Sequence, residues 1–390
     1  MKDARSAEDD FLARAEILID PGSARRQPGD EKAFADLLLA RMRETGLLSA
    51  AVPPEFGGPG LGLGAVARIT ERIARHSGSA GLIYAMHMSQ VFSVVRHGSG
   101  AFFAALQERM VREQILIASG TSEKGPGGDI FTSLARVTPG PDGRLAGVKE
   151  SPNISYLDQA GLILLTANMA ADAAGNPGGG DRQVLIALDM KDVQVEAPHR
   201  AGFLGMRGIV NQPARLTFSA PPEAVFPTPF APIARRSMTP CIHVLWAAMW
   251  SGIAWGAIDK ARTFLRQEIA AGGEAEALAR HALSRIVNRH ATLNALVRAA
   301  IQACESDPTR GDIGLGAAAR INRLKITGSE LLVEICLEAL KLIGIRAYAA
   351  GGPYSLAEAM ADALSAPVMV SNTRLQMNTA AVEGFAEEAL

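Results

Sequence analysis

The stretch TSEKGPGGD, Thr121 to Asp129, follows the apolar run ILIASG and packs two hydroxyls, two acids, a lysine, three glycines and a proline into nine positions. Glycine admits positive φ and close backbone approach, and a hydroxyl donates and accepts without carrying charge into a dry site. An ordinary Gly/Pro-rich surface turn and a loop that holds a ligand both fit, and the flanking segments decide which fold contains it.

The pattern changes at this stretch. From Glu8 to about Met110 apolar residues recur at helical spacing, as in FADLLLARMRETGLL and LGAVARITERIARHSGSAGLIYAMHMSQVFSVV, broken by the turn-rich VPPEFGGPGLG. From Leu116 to Pro227 short β-rich runs take over, LILLTANM, QVLIALDM and ARLTFSA, separated by PGPDGR and the loop AADAAGNPGGGDR. After the proline-broken FPTPFAPI, helical periodicity returns in long segments suited to an antiparallel bundle. The expectation is an α+β chain of three parts: a helical domain at 1–115, a β-barrel or sandwich at 116–228 and a four-helix bundle at 229–390.

Composition excludes several partners. With 39 basic and 40 acidic residues the formal charge is -1, and no block of like charges provides the footprint of a nucleic-acid or anionic-membrane binder. The longest apolar stretch, Val244 to Ile258, is shorter than the roughly 20 residues that span a bilayer, so it reads as a buried helix. Cys241, Cys304 and Cys336 are odd in number and set in apolar segments, which suits reduced thiols in a cytoplasmic protein and neither disulfides nor a metal site. The charged start MKDARSAEDD offers no export signal.

Several local sequences, in order, resemble the acyl-CoA dehydrogenase superfamily of flavoproteins over nearly the whole chain. LLSAAVPPEFGGPGLG resembles its N-terminal vPeeyGG segment, TSEKGPGGD its TEPGAGSD-like turn, GVKESPNIS its G.K.wITN strand, GFLGMRGI its lGmRgt loop and SGIAWGAIDKA its first bundle helix. EALKLIGIRAY followed by YSLAEAMADA resembles alQi.GG.Gy followed by eR..RDa. The resemblance implies FAD as cofactor, with Thr121, Ser122, Gly128, Asn153 and Ser155 at the flavin ring. It also implies further cofactor contacts at Arg266, near the position of the family arginine that reaches a partner subunit's flavin pyrophosphate, at Lys341, which replaces the glutamine of Qi.GG.Gy, and at Gly344, and by family analogy a homotetramer or homodimer.

The departures bear on chemistry. In the family a carboxylate takes the α-proton of an acyl thioester, and it must sit in a dry pocket at a suitable pKa. Val370 occupies the usual glutamate position, and Ile242 occupies the alternative position on the first bundle helix. ALSAPVMVSNTRLQMNTAAV contains no acid at all. The replacement candidates are His243, beside Ile242, and His87 in YAMHMSQ, each of which has a hydrogen-bonded core histidine as its plain alternative. Asn372 can orient a carbonyl or a flavin edge and Arg374 can hold an anion, the alternative being a surface loop with an asparagine cap. Trp246 and Trp250 share a helix face, and Trp255 falls on another, which suits core packing.

The expected activity is therefore oxidation of an acyl thioester, on coenzyme A or an acyl carrier protein, with a non-standard base. The carrier-protein variant follows from the likeness of MHMSQVFSVVRHG, SPNISY and VMVSNTRL to a bacterial branch associated with carrier-protein genes. Two alternatives stand beside it: a reduced-flavin monooxygenase of the same fold, which needs no carboxylate, and a non-catalytic subunit that completes the flavin site of a homologous partner.

Overall fold

The computed structural model describes residues 2–18, 29–140, 142–169, 182–268, 274–306 and 315–383. The expected loop AADAAGNPGGGDR lies almost wholly outside the described residues.

Five helices come first: α1 (Lys2–Ile17), α2 (Glu31–Glu44), α3 (Leu63–Ala74), α4 (Gly78–His97) and α5 (Ala101–Glu113). The strands follow: β1 (Ile117–Gly120), β2 (Arg136–Pro139), β3 (Leu145–Ser155), β4 (Leu162–Met169), β5 (Arg182–Asp189), β6 (Val193–Glu196) and β7 (Asn211–Ala220). They form the expected middle β part as one seven-stranded mixed sheet, ordered β1-β4-β2-β3-β7-β6 with β5 also on β4. β4 is buried along nearly its whole length because it is flanked on both edges, by β5 on one side and by β1 and β2 on the other.

The remaining helices are α6 (Phe230–Ile233), α7 (Thr239–Glu268), α8 (Glu274–Glu305), α9 (Leu315–Ile343), α10 (Ile345–Tyr348), α11 (Ala357–Ser365) and α12 (Asn372–Glu383). A π-helical turn, Ala234–Met238, joins α6 to α7. Phe230–Gln267 is long and apolar enough to cross a membrane, but 83% of its most apolar window is buried inside the fold. It is longer than the apolar run predicts, because α7 continues past Ile258 into polar residues. All three cysteines are free, with Cys241 and Cys336 buried and Cys304 half-buried.

The GIAWG sequence lets α7 lie directly on α3. A Cβ on Gly252 would stand 2.2 Å from the Glu71 carbonyl oxygen, and one on Gly256 2.5 Å from that of Arg75. Gly252→Ala is expected to force the helices apart and cost at least the ~1–3 kcal/mol of overpacking. Urea unfolding measures it, and an unchanged midpoint would refute so close an approach.

Asp362 ties the three parts together. Its carboxylate accepts from the Met206 amide at 2.5 Å, and its Oδ2 lies against Gly78 at the start of α4. Gly205 fits beside it because no Cβ is there to meet the Ala361 carbonyl, which would be 2.1 Å away.

Candidate functional site

The loop that holds TSEKGPGGD leaves β1 on one edge of β4 and returns as β2 on the same edge. Gly125, Gly127 and Gly128 take φ of +118°, +63° and +85°, conformations that other residues adopt only with strain. Its root is fixed by a buried ion pair. The Glu123 carboxylate accepts from Lys149 Nζ (2.9 Å), Ser133 Oγ (2.7 Å) and the amides of Leu134 (3.0 Å) and Ala135 (2.7 Å). Lys149 Nζ also donates to the Thr166 carbonyl (2.8 Å) and hydroxyl (3.0 Å). Burial works against the charged carboxylate, but the donors outweigh it and hold Glu123 below its usual range. Burial also pulls Lys149 down. Four donors converge on the carboxylate and keep it ionised.

Pro152 has no N–H for the ladder, and the β3–β7 register shifts between Ser151 and Ile154. This bulge brings Ser151 and Asn153 to the loop: Ser122 Oγ meets Ser151 Oγ at 2.9 Å and donates to the Asn153 carbonyl at 2.9 Å. Thr121 Oγ1 lies 3.2 Å from Ser119 Oγ. Ser155 donates to Asn211 Oδ1 at 2.7 Å, and Asn153 Nδ2 reaches the same oxygen at 3.3 Å. Asn153 Oδ1 is buried without a partner.

On the facing side are α7, α9 and the segment 366–374. Arg374 donates to the Gly127 carbonyl, and its guanidinium lies against Gly128. Asn372 does not cap α12. Its side chain is buried on α9, where Oδ1 accepts from Lys325 Nζ at 2.6 Å and Nδ2 donates to Ser329 Oγ at 3.0 Å. Lys325 also donates to the carbonyls of Ala366 (3.0 Å), Pro367 (3.4 Å) and Val370, so the residue in the glutamate position meets an ammonium through its backbone. Burial pushes Lys325 down to about 8 against the opposing pull of Glu330.

His243 is buried beside this lysine. Its Nδ1 is buried with no partner, and the Ile321 carbonyl opposes the effect of burial on the ring without outweighing it. Burial first, and the Lys325 charge second, push His243 down to about 4. Trp246 stacks on it, with centroids 5.7 Å apart and planes at 23°, and Lys325 Nζ stands 6.0 Å from the Trp250 ring. Arg374 thus joins the segment to Gly127, and Asn372 joins it to Lys325 on α9.

The expectation for His87 is corrected. It does not face the site: Nε2 donates to the Leu48 carbonyl at 2.7 Å, and Nδ1 accepts from the Ile117 amide at 3.1 Å, leaving no nitrogen for chemistry. Arg266, Lys341 and Gly344, expected at the flavin of a neighbouring subunit, lie on α7, near the end of α9 and at the start of α10. Trp250 and Arg266 are separated by about 24 Å along α7, at 1.5 Å per residue. Lys341 is exposed and paired with Glu338 at 3.2 Å, and Gly344 takes φ +75° at the start of α10. Near these three, Tyr354 meets Gln267 and Arg346 stacks over Phe264. Lys325 and Ser329 are the site residues that sequence reasoning missed. The available signal was a lysine at an apolar slot of α9, spaced with Ile321, Gly328 and Leu332 at i, i+4, i+7 and i+11.

Known proteins match this architecture from end to end. Family models described as "Acyl-CoA dehydrogenase, N-terminal domain" and "Acyl-CoA dehydrogenase, C-terminal domain" match residues 9–114 and 243–382. No curated protein matches the sequence. Among solved structures, glutaryl-coenzyme A dehydrogenase in its glutaryl-CoA complex is 18% identical with a TM-score of 0.79, covering 100% of this chain and 97% of that one. Butyryl-CoA dehydrogenase from Megasphaera elsdenii is 18% identical with a TM-score of 0.76, covering 96% and 97%. FMN-bound TdsC from Paenibacillus sp. A11-2, a dibenzothiophene monooxygenase, is 19% identical with a TM-score of 0.76, covering 98% and 97%. Such distant likeness shows the fold alone. With both family models matched in order and the helical, sheet and helical parts in place, the chain belongs to the acyl-CoA dehydrogenase superfamily.

Proposed function

We propose that the chain is a flavin-dependent oxidoreductase that works without a catalytic carboxylate, and that its reaction is oxygen insertion into a small organic substrate. The residues present fit the edge of a flavin ring: Thr121, Ser122 and Asn153 offer neutral donors and acceptors, and the orphaned Asn153 Oδ1 is ready to accept an N–H. A reduced flavin bound there would supply the two electrons with which one atom of dioxygen enters the substrate and the other leaves as water. FAD is the proposed form. Arg266, Lys341 and Gly344 would serve its pyrophosphate from a neighbouring copy in a homodimer or homotetramer, and the free thiols suit a cytoplasmic location.

The observation that carries the reading is Lys325 on the segment where the carboxylate would stand. A base in that place would become an imidazolium beside an ammonium, an arrangement in which like charges disfavour the protonated form. His243 Nδ1 can still accept a hydrogen bond or a proton from an acidic group, and Trp246 and Trp250 keep water from it. The bare, neutral Nδ1 also favours a second reading, oxidation of an acyl thioester on coenzyme A or an acyl carrier protein with His243 as base.

The visible spectrum of the protein expressed alone comes first, followed by anaerobic addition of both kinds of thioester. Reduced flavin, air and indole as a small aromatic probe come next. A flavin band that no thioester bleaches, with one oxygen atom added to indole by mass, is the expected result. Bleaching by a thioester would transfer the proposal to the second reading. A colourless protein that takes up no flavin would sink both, in favour of a non-catalytic partner subunit.

A further inference from the structure

We propose that Arg374, with the glycine turn it touches, is an oxyanion subsite of the candidate flavin site and holds a phosphate of the flavin from within the same chain. The inference rests on the reading of the loop from Thr121 to Asp129 as the flavin edge.

Arg374 stands exposed on the first turn of α12 and donates to the Gly127 carbonyl. A Cβ on Gly128 would lie 2.6 Å from its Nη1 and 3.3 Å from the guanidinium carbon, so the approach depends on the missing side chain. A guanidinium has five N–H donors, and a carbonyl that takes one of them does not neutralise its charge. The acids of the loop are turned elsewhere. Glu123 is closed in its pair with Lys149, and Asp129 accepts from the Phe131 amide at 2.9 Å and the Thr132 hydroxyl at 2.8 Å. The stretch around Arg374, ALSAPVMVSNTRLQMNTAAV, contains no acid, and among the described residues no carboxylate is paired with Arg374. α12 thus begins with a cation and no acid in its first turn, at the end where a helix favours negative charge. An oxyanion at the guanidinium would satisfy both.

Fixed points on either side aim this side chain. Two residues before it, Asn372 is locked on α9, where Oδ1 accepts from Lys325 and Nδ2 donates to Ser329. The loop it reaches is rooted through Glu123 and carries the hydroxyls of Thr121 and Ser122 at its start. Neutral groups for a ring edge and a planar fork for an oxyanion therefore lie along one turn of nine residues. Arg266 is on α7 and would act from a neighbouring copy, whereas Arg374 needs none.

Quenching of flavin fluorescence gives the Kd of FAD, FMN and riboflavin for the wild type, Arg374→Met and Arg374→Lys. Riboflavin has the ring and lacks the phosphate. Arg374→Met is expected to weaken FMN and FAD by about 10–100-fold, the loss of a charge-assisted pair, and to leave riboflavin unchanged. Arg374→Lys should fall between, since it keeps the charge and loses the fork. Equal weakening of all three flavins would overturn the proposal, because an arginine that merely props the loop does that. Three unchanged affinities would overturn it as well, by leaving the flavin phosphate independent of Arg374. A wild type that binds none of the three would sink the flavin reading itself and this subsite with it, an outcome distinct from the other two.

Discussion

If the reaction is oxidation of an acyl thioester, His243→Gln is expected to slow turnover by about 10²–10⁴-fold, the range supplied by a positioned proton acceptor, while the protein still folds and still takes up flavin. Glutamine keeps a donor for the Ile321 carbonyl and removes the lone pair at Nδ1, so the loss belongs to proton acceptance. Full activity in this variant would exclude His243 from the chemistry. The same substitution has a stability consequence whose sign follows from linkage. The folded pKa is depressed to about 4 from the ordinary 6.5, so the folded ring binds fewer protons than the unfolded one between those values. Stability is therefore complete above pH 6.5 and falls as the pH drops towards 4, by about 3 kcal/mol for a shift of this size. Urea midpoints at pH 7 and pH 4.5 should converge in His243→Gln relative to wild type. His87 and His97 are depressed in the same way and will keep part of the acid sensitivity.

Lys149→Met is expected to cost about 3–5 kcal/mol, because it leaves a buried carboxylate with its neutral donors and no cation. Glu123 would respond by taking up a proton more easily, and the loop from Thr121 to Asp129 would lose its root. Denaturant midpoints measure the cost, and the double variant with Glu123→Gln should recover part of it. If the single variant loses less than about 1 kcal/mol, the pair is no more than an exposed one in effect. The pH signature has the same sign for both partners, because both folded pKa values are depressed. The folded carboxylate lies below its ordinary range, so its contribution is present above the unfolded carboxylate pKa and is lost as pH falls through the folded one.

The helices were legible because their apolar periodicity is long and unbroken: the segments read as α2, α3, α4, α7, α8 and α9 all formed helices. The sheet was legible strand by strand, but its strand order was not, since β1 and β2 both pair with β4 through residues far apart in sequence. Within the site, the missing acid at Val370 could be read directly. The role of Lys325 could not, because its acceptors lie 41 to 47 residues away. His87 misled for the opposite reason. A histidine on a helix buried on every side needs polar partners, and they come from Leu48 and Ile117, 39 and 30 residues away.

The placement of α7 also matters while the chain is being made. Its sides are covered by α3 and α4, which are translated before it, and by α8 and α9, which are translated after it. When Glu268 leaves the ribosome, one half of this apolar rod already has a bed, but the other half waits for Ile343. At about 5–20 residues per second that interval is roughly 4–15 s. During it Trp250 stands uncovered towards α9, so the nascent chain passes through a window in which a chaperone, or a second unfinished chain, can occupy the place that α9 later fills.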